Sequence, residues 1–251
     1  MTQKSLEIDV RNFLLDEGIQ LSGVADIHGV PSVPENFSPQ AVLHDAKSVI
    51  CYGTPIPKGV LYADKHDLSL YWRYCTMVYK SLDIVSNKLC LFLEAKGHVS
   101  SPVYGCYPMK VVAREYWGIL PLVYWSEAAG LGRVTKCGLL AHPDYGMRLI
   151  VGGVITTAPL APSGKIEKDV CPPDCFDCIK ACPVNAIDET GKVDHNECMR
   201  YANASPPLAA IIQDKTMMGS FSFETILNTV AVDEHATYSC NKCLTVCPLN
   251  Q

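Results

Sequence analysis

No apolar run in this 251-residue chain reaches the roughly 18 residues that a membrane-spanning helix needs. The first residues carry Lys4, Glu7, Asp9 and Arg11 where a secretory signal needs an apolar core, and they hold no twin-arginine pair. We therefore expect a cytoplasmic protein without a membrane span. There is no G-x-x-x-x-G-K-[ST] and no G-x-G-x-x-G, which argues against P-loop ATP binding and Rossmann-type nicotinamide binding. Excess positive charge is also missing. A formal net charge of −5 disfavours nucleic acid as a partner. The seven histidines, His28, His44, His66, His98, His142, His195 and His235, form no metal-pair spacing. With 48% hydrophobic and 19% charged residues, disorder and fibrous folds are excluded too.

Cysteine is the residue present in excess, at 13 positions. Without an export signal these do not read as a disulfide framework. Cys51, Cys75, Cys90, Cys106 and Cys137 are scattered through the first 165 residues and read as small apolar residues. Cys106 and Cys137, each beside a glycine, are the two candidates for reactivity. The other eight crowd into the remainder. Charge divides at the same place: residues 1–165 hold 15 basic and 14 acidic residues, residues 166–251 hold 6 and 12. Residues 157–164, Thr-Ala-Pro-Leu-Ala-Pro-Ser-Gly, read as a connector. This predicts two domains, 1–165 and 166–251.

Apolar spacing predicts a helix over 4–17 stopped by Gly18, and a long one over 68–95 ended by Gly97. A short helix over 122–129 ends at Gly130. Strands are expected at 23–27, 48–52 and 148–156, and Gly152-Gly153 in the last suggests a bulge or a close approach to a ligand. Tyr71, Trp72, Tyr74 and Tyr79 on the long helix read as core and interface.

The second half carries the chemistry. One run is Cys171-Pro-Pro-Asp-Cys175-Phe-Asp-Cys178-Ile-Lys-Ala-Cys182-Pro183, the other Cys240-Asn-Lys-Cys243-Leu-Thr-Val-Cys247-Pro248. Both contain C-x2-C-x3-C-P, as in bacterial ferredoxins, where the last cysteine of a run serves the other cluster. Two 4Fe-4S clusters need eight thiolates, and eight are present. Interlocking assigns Cys171, Cys175, Cys178 and Cys247 to one cluster and Cys182, Cys198, Cys240 and Cys243 to the other. Two zinc sites are the alternative, but zinc does not account for the repeated C-x3-C-P. The x3 gap between Cys171 and Cys175, with its Pro172-Pro173 insert, departs from the ferredoxin spacing. The acidic surroundings are either a solvated surface or a means of lowering cluster potentials.

With the cysteines placed, the chain resembles epoxyqueuosine reductases and reductive dehalogenases. Cys175 to Pro183, then Ala186-Ile187, then Cys198, then Cys240 to Asn250 follow that family's order. Glu127 to Gly132 resembles its AGLG turn, His142 to Gly146 its P-E-Y-G segment, and Val154 to Leu160 its strand into the cluster region. The resemblance implies an α+β fold: a nitroreductase-like N-terminal domain holding a corrinoid (cobalamin), with a two-cluster ferredoxin-like C-terminal domain feeding it electrons. Gly130, Gly132, Tyr145 and Gly146 are then the expected cofactor-binding residues, although Gly130 also reads as a plain helix cap. The family's proton-donating aspartate before the AGLG turn is missing here, and Tyr124 or Glu127 would take its role. The family's glycine after AGLG-x-x is Thr135 here, which would reshape the ligand loop. The chain also stops at Gln251, short of the family's C-terminal extension, which weakens tRNA as a substrate.

The function expected is an iron–sulfur oxidoreductase passing electrons to a corrinoid or a small substrate. The rivals are a corrinoid-free electron carrier that docks a partner enzyme, and a reductive activator of another protein's corrinoid. A reduced ferredoxin or flavodoxin is the expected donor, and a homodimer is compatible with the sequence.

Overall fold

The computed structural model describes residues 3–28, 30, 35–63, 67–105, 109–112, 115–202 and 240–250. In chain order these form α1 (Gln3–Asp16), β1 (Leu21–Asp26), α2 (Pro39–Val42), β2 (Ser48–Pro55), α3 (Lys58–Leu61) and α4 (Asp67–Glu94). Then come β3 (Ser100–Val103), β4 (Met109–Val112), β5 (Glu115–Gly118), α5 (Leu122–Ala128), β6 (Arg133–Val134), β7 (Leu140–Ala141) and β8 (Leu149–Thr156). The cysteine-rich half contributes α6 (Asp177–Lys180), α7 (His195–Ala202) and, as the last helix described, α8 (Lys242–Thr245). Helix and sheet are mixed. Among the described residues no helix is long and apolar enough to cross a membrane.

A four-stranded antiparallel sheet in the order β1-β2-β8-β3 organises the first half. Helices cover it from both sides, and the glycine pair of β8 explains how. Successive strand residues face opposite ways. A Cβ on Gly152 would lie 3.2 Å from Leu82 of α4, and one on Gly153 would lie 2.8 Å from Leu122 of α5. The pair is therefore neither a bulge nor a ligand contact. It lets two helices lie close on the sheet. Across α4, the Tyr52 hydroxyl lies 2.5 Å from Ser86 Oγ, and Ser86 donates to the Gly153 carbonyl.

The helix stops behave as expected: Gly18, Gly97 and Gly130 all have positive φ. On α4, Tyr71 is buried and Tyr74 donates to the Pro55 carbonyl, while Leu70, Met77, Ile84 and Leu91 stand exposed at seven-residue intervals. Cys51, Cys75 and Cys90 are buried. Burial pushes the Cys51 and Cys90 thiols up to about 12, as expected of small apolar residues. Cys106 lies outside the described residues.

The connector is tied down. Ser163 exchanges two hydrogen bonds with Val24 of β1, and Ala161 N–H donates to Glu7. One apolar core also runs across position 165, joining Leu6, Leu14, Leu82 and Leu89 to Cys178, Ile187 and Leu244.

Candidate functional site

The eight cysteines of the second half sit in loops and on short helices. In the first run, Cys178 lies on α6, one turn before Cys182; in the second, Cys243 lies on α8, one turn before Cys247. Each C-x3-C therefore spans one helical turn. Burial pushes the Cys247 thiol up to about 11, and the neighbouring Cys171, Cys175 and Cys178 push it the same way. Burial likewise pushes Cys198 up to about 11, with help from Cys240, Cys182 and Cys137. Cys247 thus feels the charge of the first run, and Cys198 that of Cys182 and Cys240. Thiols crowded like this resist ionisation until a cation takes up the charge.

Cys182, Cys198, Cys240 and Cys243 line one cavity of about 270 Å³. That is roomy for a single zinc ion, which holds sulfur at about 2.3 Å. Among the described residues no three His, Cys, Asp or Glu side chains converge closely enough to hold one metal ion. The donor set and the space fit a multi-iron cluster better.

A second pocket, of about 650 Å³, adjoins this cavity. Tyr79, Val123, Gly138, Val193, His195 and Met199 contribute to the walls of both. Tyr104, Tyr116, Trp117 and Tyr124 give the larger pocket its aromatic character, and Lys192 adds a cation. Of the residues the sequence tied to a ligand site, Tyr124 and Thr135 line this pocket. Sequence reasoning read Tyr79 as core and dismissed His195 as one of several dispersed histidines. The usable signal was position: His195 opens the helix that carries Cys198.

Tyr124 lines the pocket with 44% of its surface exposed. Glu127 is placed differently. Its carboxylate accepts the Val134 N–H at 2.8 Å and lies 3.6 Å from Arg133 Nε, so it joins α5 to β6 and does not line the pocket. Glu127→Gln, which keeps an acceptor, is expected to cost no more than about 1 kcal/mol in thermal unfolding and to leave turnover intact.

The four expected cofactor residues also lie elsewhere, and the reason is chain packing. A Cβ on Gly130 would lie 2.3 Å from the Gly164 carbonyl, and one on Gly132 2.5 Å from that of Ala141. Gly146, at φ +59°, abuts the Leu249 carbonyl and the Asn250 amide. The Tyr145 ring packs 5.2 Å from His142. His142 sits in the same turn, where its Nδ1 accepts the Asp144 N–H. These residues bring backbone to backbone. Close approach was foreseen, and the protein chain is the neighbour that the structure shows.

The final C-P-x-N has a structural explanation as well. Asn250 is fully buried; its Oδ1 accepts the Met147 N–H at 2.8 Å and its Nδ2 donates to the Leu244 carbonyl at 2.6 Å. It fastens the second cysteine run to the strand region of the first half. Lys136 fastens the first run, donating to the carbonyls of Pro172, Pro173 and Cys175 and lying 4.5 Å from the Phe176 ring centre. The proline insert in the irregular C-x3-C is what Lys136 grips.

No family model matches the chain. In sequence it is 29% identical over 231 residues to the epoxyqueuosine reductase of Bacillus subtilis, an alignment covering 88% of this chain and 52% of that protein. The chain thus spans about half the length of the curated relative. In fold it is similar to an epoxyqueuosine reductase solved with an epoxyqueuosine-modified tRNA stem loop: TM-score 0.63, 19% identity, 99% of this chain and 66% of that one. It is also similar to a reductive dehalogenase whose structure suggests a mechanism for B12-dependent dehalogenation: TM-score 0.58, 16% identity, 77% of this chain and 28% of that one. That solved protein holds a tRNA stem loop, whereas net charge led to the expectation that nucleic acid is an unlikely partner of this chain.

Proposed function

From the similarity of this chain to epoxyqueuosine reductases in sequence and fold, and to reductive dehalogenases in fold, we propose an iron–sulfur reductase acting in the 650 Å³ pocket. The first half would be the nitroreductase-like domain and residues 166–251 the two-cluster ferredoxin-like domain. The observation that carries the reading is the shared wall. The cavity lined by Cys182, Cys198, Cys240 and Cys243 borders the aromatic pocket through Tyr79, His195 and Met199.

In this reading Cys182, Cys198, Cys240 and Cys243 hold the cluster nearer the pocket. Cys171, Cys175, Cys178 and Cys247 hold the outer one, near the surface where a reduced ferredoxin or flavodoxin of the cytoplasm can dock. When bound, the clusters supply single electrons to a corrinoid or directly to a small substrate. The chain's own part is to bind, orient and protonate. Tyr116 and Trp117 offer ring faces that a planar group can stack on and that exclude water. Tyr124, placed on the pocket wall, donates a proton to the group being reduced. Lys192 balances negative charge that develops there. The relatives favour a corrinoid, whereas the glycines and tyrosine expected to hold it line other contacts, so cobalt is the quantity to measure.

The test is anaerobic purification with added cobalamin, followed by iron, sulfide and cobalt analysis. About eight irons per chain support the two clusters. Near-stoichiometric cobalt selects the corrinoid enzyme, and eight irons without cobalt leaves a corrinoid-free reductase or an electron carrier, which turnover of a small substrate without a partner separates. Zinc in place of iron overturns the reading. With turnover established, Tyr124→Phe is expected to lower it by roughly 10²-fold while leaving the iron content unchanged.

A further inference from the structure

Lys136 sits in the tip of the β6–β7 hairpin, a turn closed by two hydrogen bonds: Thr135 N–H to the Leu139 carbonyl and Gly138 N–H to the Thr135 carbonyl. Gly191 presses on the same tip, since a Cβ there would lie 3.2 Å from the Lys136 carbonyl oxygen. From this held position the side chain reaches the first cysteine run. Nζ donates to the Pro172 carbonyl at 2.9 Å, to the Cys175 carbonyl at 2.8 Å and to the Pro173 carbonyl. An ammonium has three N–H donors, so its hydrogen bonds are complete. Its charge is not matched. Arg133, on the same hairpin, has Asp169 at 2.8 Å and Glu127 at 3.6 Å. Among the described residues no carboxylate forms an ion pair with Lys136. A partly buried charge is costly without an opposite charge nearby.

We propose that the counter-charge of Lys136 is the outer iron–sulfur cluster, and that Lys136 raises the reduction potential of that cluster and not of the inner one. This rests on the cluster reading above. Cys171 and Cys175 flank the gripped residues 172–174, and both belong to the outer set. Covalent geometry keeps a cysteine sulfur within roughly 5 Å of its own carbonyl oxygen. With the ammonium on that oxygen, the Cys175 thiolate falls inside the Debye length of about 8 Å. Four thiolates leave a cluster negative in sum, and an added electron makes it more so. A fixed cation therefore stabilises the reduced form more than the oxidised one. Net charge is among the determinants of a cluster's potential. The inner set takes no cysteine from the gripped loop, which confines the effect to one cluster. The irregular x3 gap provides the seat, through its two proline carbonyls.

The test uses the full chain, reconstituted anaerobically with iron and sulfide, and an EPR-monitored redox titration alongside iron analysis. Lys136→Gln removes the charge and keeps a donor for the loop carbonyls. One midpoint is expected to fall in it, the reduced-to-oxidised ratio of that cluster at fixed potential dropping about tenfold. For one electron that is about 59 mV. The other midpoint is expected to stay. Lys136→Arg keeps the charge and is expected to hold both midpoints near wild type. In the Cys198→Ala background, where the outer cluster is left, Lys136→Gln is expected to lower the midpoint that remains. Unchanged midpoints in fully loaded Lys136→Gln overturn the proposal. So does an equal shift of both clusters, or a shift that Lys136→Arg shares in full. Loss of half the iron in Lys136→Gln but not in Lys136→Arg supports it, because the charge is then what retains the cluster. The same loss in both variants makes Lys136 a mechanical clamp and overturns it. A wild-type chain that takes up no cluster sinks the underlying cluster reading instead, and is told apart by the iron count alone.

Discussion

Cys198→Ala is expected to leave the protein with about half of its iron and almost no reductase activity. Cys198 comes alone, on α7, with no second cysteine in its own segment to replace it. It lines the cavity that borders the aromatic pocket, and its helix supplies His195 and Met199 to both walls. In the proposed assignment, removing it takes away the cluster nearest the reacting group. Cys247→Ala is the control, since it removes a ligand from the outer group. A small chemical reductant can reach the inner cluster without the outer one, so Cys247→Ala should retain activity with that reductant and lose it with a protein donor. Iron analysis, EPR and turnover with both donors check the pair. Equal activity of the two variants under both conditions would contradict the assigned order.

Asn250→Ala is expected to destabilise the fold by about 2–4 kcal/mol. The amide serves two buried partners, the Met147 N–H and the Leu244 carbonyl. Truncation leaves both without a bond in a site that water does not reach, at about 1–2 kcal/mol each. For a chain of this size that lowers the melting temperature by roughly 4–16 °C. Asn250→Asp is the informative companion. It can still accept from Met147 but cannot donate to Leu244, and it brings a charge into a buried site. Thermal unfolding of the loaded protein measures both, and a melting point within a degree of wild type would show that the two halves are held by other contacts.

What the sequence disclosed depended on the range of the forces involved. Glycine stops are local, and Gly18, Gly97 and Gly130 end their helices where expected. The cysteine spacing is local too, which is why both C-x3-C turns fall on short helices. The pocket was less legible, because its walls come from α4, β5, α5 and α7, elements distant in sequence. Tyr79 and His195 look ordinary until the fold makes them neighbours. The glycines mark points of close approach, and the neighbours the structure shows at them are other stretches of the chain. A missing Cβ reports that something comes near without saying what. At Gly146 the neighbour is the segment from Leu249 to Asn250, about a hundred positions away. Glu127 shows the same limit. A lone carboxylate near a family's catalytic position invites a chemical role, and only the Val134 N–H in front of it reveals a structural one.

The apolar core that crosses position 165 bears on how long each molecule survives in a cell. Cys178 packs with Leu6, Leu14, Leu89 and Leu244 in a single buried cluster, so a ligand loop is also a piece of the hydrophobic interior. Metal binding and folding are coupled in such an arrangement. Oxidative loss of one metal group would loosen the packing that the first half relies on. The opened chain would then offer cleavable backbone to proteases at a rate set by its local stability. Damaged molecules would be cleared ahead of intact ones, and the cell would need no dedicated sensor to sort them.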